Sequence, residues 1–159
     1  MYKEYLPCDI LSSYIDKYWE YKGQPEYGTK ISIPPYGCTD FVFTLGEAVN
    51  DINNNLIMQP FRSYFVGPMN THTELVTVAD SVHVFGIRFL PCGLYRFMGL
   101  PLNELVNHRC SASDLTNIFE NSFIERLCNQ HDSERLTGII DEFLINHLSK
   151  HNPKIDRKI

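Results

Sequence analysis

The clearest periodicity lies near the end of the chain. After Ser133, the residues Leu136, Ile139, Ile140, Phe143, Leu144 and Leu148 recur at the spacing of one face of an amphipathic helix. Ser133 stands where an N-cap belongs, and Asn152-Pro153 stops the pattern. Shorter helical stripes precede it. Leu94, Phe97 and Met98 are closed by Gly99; Leu102, Leu105 and Val106 follow Pro101; Leu115, Ile118 and Phe119 follow Ser113 or Asp114; Phe123, Ile124, Leu127 and Cys128 form the next. Between residues 29 and 89 the period falls to two. The alternation predicts strands over 29–33, 39–45, 55–59, 63–66, 73–79 and 82–89, separated by turns at 34–37, 50–54, 67–68 and 80–81. Phe41, Phe43 and Leu45 share one face of the second strand, and His83, Phe85, Ile87 and Phe89 one face of the last. At the other end, Ile10, Leu11, Tyr14, Ile15, Tyr18 and Trp19 behind Asp9 predict a first helix. The sum is an α+β chain: a small barrel or a strongly curled antiparallel sheet, then a helical region.

Composition narrows the function. With 159 residues, 43% hydrophobic and 13% aromatic, the chain holds enough apolar surface for one core. Its net charge of -5 does not suit a domain that grips phosphates, so the chain alone is not expected to bind DNA. The only basic cluster is at the end, where Lys150, Lys154, Arg157 and Lys158 face a single Asp156. The five cysteines, at 8, 38, 92, 110 and 128, show neither zinc nor redox spacing and read as buried thiols of a cytoplasmic protein. No N-terminal basic-then-apolar segment and no membrane-length apolar run occurs.

Four segments in order carry a resemblance: LSSYIDKYW from Leu11 to Trp19, IPPYGCTDFVFTLG from Ile33 to Gly46, FVGP from Phe65 to Pro68, and GIRFLPCGLYRFMGLPLNELVNH from Gly86 to His108. With the later Asp114-Leu115 and Glu125-Arg126-Leu127, they resemble the N-terminal domain of transcription regulators of the arabinose-regulator (AraC/XylS) type. The resemblance implies a cupin-like barrel, helices that mediate dimerisation, a small-molecule effector and a C-terminal pair of helix-turn-helix units. It divides the chain into an N-terminal helix plus barrel over 1–90, helices packed on it over 91–150, and a linker over 151–159 leading to a DNA-binding half that the sequence does not include.

The candidate site residues follow from the aromatic positions. Tyr36, Phe41, Phe43, Tyr64 and Phe85, with His83 on the Phe85 face, are the expected lining of an effector pocket, against the alternative that they fill the core. Arg88, on the opposite face of its strand from His83, is read as structural, pairing with a helix or with Asp40 if it faces outward, against the alternative that it faces inward and forks onto a carboxylate ligand. Leu136, Ile140, Phe143 and Leu144 are the expected contact between two copies in a homodimer. No cofactor is expected and no catalytic motif is present. The competing reading is a free-standing cupin-like metal enzyme using His72, Glu74 and His83; a third is a barrel that only dimerises.

Overall fold

The computed structural model describes residues 1–46, 49–51, 56–77, 81–91, 93–99 and 102–150. Its strands are β1 (Tyr2–Tyr5), β2 (Ile15–Gly23), β3 (Lys30–Ile33), β4 (Thr39–Thr44), β5 (Val49–Asp51), β6 (Leu56–Met58), β7 (Ser63–Val66), β8 (Thr73–Thr77), β9 (Val82–Phe89) and β10 (Arg109–Ser111). They form two sheets with antiparallel pairing throughout, a larger one in the order β1-β2-β9-β4-β7-β10 and a smaller one in the order β3-β8-β5-β6. Among the described residues no ladder joins the two, so of the two architectures expected the curled, open arrangement is the one adopted.

The larger sheet is apolar on both faces, and this decides the layout. On one face Phe41, Phe43, Phe65, Phe85, Ile87 and Phe89 are fully buried against the helical half. On the other, Val42, Tyr64, Val66 and Val82 join Met58 of the smaller sheet in a second cluster. The helices α1 (Gly93–Met98), α2 (Asn121–Cys128) and α3 (Ser133–Lys150) all sit on the phenylalanine face. Gly99, at φ +61°, ends α1 in the left-handed conformation that glycine adopts without steric cost. The cap of α3 is Asp132 rather than Ser133, since its Oδ1 accepts the backbone N–H groups of Glu134 and Arg135 at 3.0 and 3.4 Å.

Three further expectations are corrected. The first helix is a single 3-10 turn, Asp9–Leu11, and the stripe's remainder is β2. There Tyr18 and Trp19 point to opposite faces, and both are apolar because both sides of the sheet are covered; that removes the polar alternation by which a strand is recognised. The stripes after Pro101 and after Ser113 shorten to the 3-10 turns Leu102–Glu104 and Ala112–Asp114. Between them the backbone of β10 bonds to β7 at the sheet edge, so the region is not wholly helical. Finally, residues 49–51, the first two of which flank or open the expected turn, pair as β5; the rest of that turn lies outside the described residues, as do Asn152 and Pro153. No described helix is long and apolar enough to cross a membrane.

Candidate functional site

A cavity of about 300 Å³ lies between the two sheets. Its floor is the second face of the larger sheet: Trp19 and Tyr21 from β2, Asp40 and Val42 from β4, Val66 from β7, Val82, Val84 and Arg88 from β9, and Arg109 from β10. The smaller sheet covers it with Ile33, Met58 and Leu75, and Tyr2 and Tyr36 complete the wall. This is the mostly apolar concavity, with few polar groups, that small ligands use. Strand register builds it: Arg88 is directly opposite Asp40, and Gly86 opposite both Val42 and Trp19. Gly86 has to lack a side chain, because a Cβ there would stand 2.1 Å from Cε2 of the Trp19 indole.

The polar end of the cavity is centred on Asp40, which is 1% exposed. Arg88 donates from Nε to Oδ1 and from Nη2 to Oδ2, both at 3.0 Å, a bidentate pair. Tyr36 Oη–H and Trp19 Nε1–H also donate to Oδ2, at 2.9 and 3.2 Å. The guanidinium stands 4.5 Å from the centre of the Tyr36 ring, within cation–π range. Burial opposes the charge on Arg88, but the bond to Asp40 outweighs it and raises the guanidinium pKa above its ordinary value. Burial first, and then the Asp40 charge, push the Tyr36 phenol upward, so it remains a donor. The structural role expected of Arg88 therefore holds, on a side chain that also lines the cavity.

Of the residues read from sequence as pocket lining, Tyr36 alone lines this cavity. Phe41, Phe43 and Phe85 occupy the opposite face and are fully buried against helices, with Phe43 against Phe119 and Phe123 at ring separations of 5.1 and 5.8 Å. Tyr64 is buried in the cluster beneath the cavity, where its hydroxyl accepts the Gln59 backbone N–H at 2.6 Å. His83 is on the phenylalanine side of β9 and its Nε2 meets Glu20 Oε1 at 2.8 Å. Leu136, Ile140 and Leu144 are 1%, 0% and 0% exposed inside the chain's own core, and Phe143 stacks on Phe123 at 4.0 Å. The stripe expected to meet a second copy is thus occupied by the sheet and α2. His72 is exposed, and the Glu74 side chain lies outside the described residues. Cys8, Cys38, Cys110 and Cys128 are free thiols, half-buried rather than buried; Cys92 is not among the described residues.

Strand β2 connects the cavity to α3. While Trp19 and Tyr21 face the cavity, the alternate residues Tyr18 and Glu20 face the helices. Tyr18 donates to Asp141 Oδ1 on α3 at 2.7 Å. Glu20, 4% exposed, accepts from Tyr5 at 3.0 Å and meets His83 Nε2 at 2.8 Å. Burial would raise the Glu20 carboxyl, but the bonds from His83 and Tyr5 and the Lys22 ammonium beside it prevail and hold it below the ordinary 4.5. Burial lowers the His83 imidazole below the ordinary 6.5 despite Glu20 beside it.

The unfolded chain protonates at His83 more readily than the folded protein, so the stability from this group is present above about 6.5 and is lost as pH falls toward the lowered folded value. Glu20 works in the same direction further down, its contribution being lost as pH falls from 4.5 through its lowered folded value. Urea unfolding of the wild type is expected to show a falling midpoint as pH is lowered from neutral to mildly acidic. His83→Gln should remove that upper part of the slope; an unchanged slope would place the titrating group elsewhere.

Comparison with known proteins adds a family. The profile of a domain of unknown function, DUF6597, matches residues 3–111, from β1 to the end of β10. The chain belongs to the DUF6597 family. Apart from Tyr2, the match takes in both sheets and the cavity wall, includes α1, and stops before α2. No curated protein matches the chain. Among solved structures this DUF6597 chain is similar to ToxT from Vibrio cholerae O395, at 10% identity and a TM-score of 0.45 over 84% of this chain and 54% of that one. It is also similar to the same protein bound to (E)-4-(8-methylnaphthalen-1-yl)but-3-enoic acid, at 10% identity and a TM-score of 0.41 over 87% and 61% of the two chains. A third is the AraC-like transcriptional activator CuxR, at 14% identity and a TM-score of 0.35 over 99% and 65%. The chain thus spans between half and two thirds of the length of these proteins.

Proposed function

We propose that this DUF6597 domain receives a small-molecule effector between its two sheets and passes occupancy to α3, as the sensory part of a transcription regulator of the arabinose-regulator type. The observation that carries the reading is the two-sided strand β2. Trp19 and Tyr21 wall the cavity, and Tyr18 beside them donates to Asp141 of α3. A ligand that moves the indole by a fraction of an ångström displaces a strand hydrogen-bonded to that helix. Differential affinity for two positions of α3 is then all that a switch requires. The sequence segments from Leu11 to His108 that resemble the arabinose-regulator class support the same reading. In that reading DNA is contacted through helix-turn-helix units outside this chain, in the cytoplasm. The protein works as a homodimer, through surfaces other than the buried stripe of α3.

The experiment is a thermal-shift screen of small metabolites followed by amide hydrogen exchange. A compound that binds the native state raises the apparent Tm. With it bound, exchange is expected to slow in β2 and to change in α3 around Asp141. In the Tyr18→Phe variant the Tm shift should persist while the response of α3 is lost. Absence of any stabilising compound, or binding that leaves α3 exchange unaltered in the wild type, contradicts the proposal.

A further inference from the structure

Resting on the reading of the cavity as a ligand site, the charge distribution at its polar end defines the class of ligand. Asp40 accepts four hydrogen bonds, two of them from Arg88, and both of its oxygens are engaged. The Arg88 charge is thereby cancelled at contact distance. Arg109, the other cation in the wall, is 9% exposed and is held by interactions of its own. The remaining wall is almost entirely hydrocarbon and aromatic ring.

A ligand of either charge meets an unfavourable balance here. A carboxylate approaching Arg88 comes up against the Asp40 carboxylate that already holds it. An ammonium drawn to the aromatic rings comes up against Arg88, which already covers Tyr36. In either case a charge leaves water for apolar walls, and neither Asp40 nor Arg88 is free to repay its desolvation. An uncharged molecule has no such cost. One kind of polar group is still served: a guanidinium has five N–H donors, and Arg88 uses only those on Nε and Nη2, leaving Nη1 without a partner among the described residues. A volume of about 300 Å³ is at the small end of the range for ligand sites and suits a compact ring system.

We infer that the cavity binds an uncharged, compact, mainly hydrocarbon ring molecule bearing one hydrogen-bond acceptor, such as a carbonyl oxygen, which Arg88 meets without releasing Asp40.

Trp19 is the chain's single tryptophan and lines the cavity, so its emission reports occupancy directly. The test titrates the full chain at neutral pH with four probes on one bicyclic body: 2-decalone, decalin, decalin-2-carboxylate and 2-decalylammonium. The ketone is expected to change Trp19 emission with an affinity about tenfold or more above either ion, and above decalin by the smaller factor of one hydrogen bond. Val84→Phe, which fills the cavity from the floor, should abolish the response; Leu75→Phe fills it from the opposite sheet and serves if the first variant does not fold. Tighter binding of the carboxylate or the ammonium overturns the inferred ligand class and leaves the ligand-site reading standing. No response to any of the four overturns both. A response that survives in a folded cavity-filled variant places the binding elsewhere and overturns the inference.

Discussion

Arg88→Leu is expected to lower unfolding stability by about 3–5 kcal/mol, toward the lower end because the Arg88 side chain keeps 22% of its surface in water. Asp40 is 1% exposed, and the substitution leaves its carboxylate in an apolar wall with only the Tyr36 and Trp19 donors. Most of the cost is this stranded charge and not the lost attraction. Asp40→Leu strands the guanidinium instead and should cost a comparable amount. The double substitution removes both charges, and its loss should fall well below the sum of the two singles, since groups in one network are strongly non-additive. Urea unfolding of the four proteins closes the cycle. Additive losses would mean that the two side chains do not function as a pair.

Ile140→Asp is expected to leave the chain largely unfolded. Ile140 is fully buried in the cluster formed by the phenylalanines of the larger sheet and the residues of α2, where a carboxylate would lose its hydration. The milder Ile140→Ala should cost about 2–5 kcal/mol and leave a folded protein. If α3 presented this stripe to a second copy, Ile140→Asp would instead give a soluble, folded monomer, which circular dichroism and size-exclusion chromatography distinguish from an unfolded chain.

The elements read best from sequence were those with a single dominant period. β7 and β9 begin and end where alternation and turn residues predict, and α1, α2 and α3 lie on their stripes. β2 was hidden because the strand has cavity on one side and helices on the other, so its apolar residues fit a helical spacing as well as a strand. The same two-sidedness reversed the site. Alternation shows that Phe41, Phe43 and Phe85 share a face, but not whether helices or open space cover it. The more apolar face went to the helices, as burial energetics favours, and the cavity formed over the valines and Trp19. A signal was available in Asp40 and Arg88: a charged pair on the face otherwise made of Val42, Val84 and Gly86 marks the side that packing leaves unfilled. Tyr36, the one residue of the aromatic set outside the strands, lies in the cavity wall.

The most direct test is diffraction from crystals of this protein under xenon pressure, because xenon enters apolar cavities without requiring a known ligand. The account predicts xenon between the sheets, among Val42, Val66 and Val84, with the Asp40–Arg88 pair in place. Xenon on the other side of the larger sheet, between Phe41 or Phe43 and the helices, with none between the sheets, would contradict it.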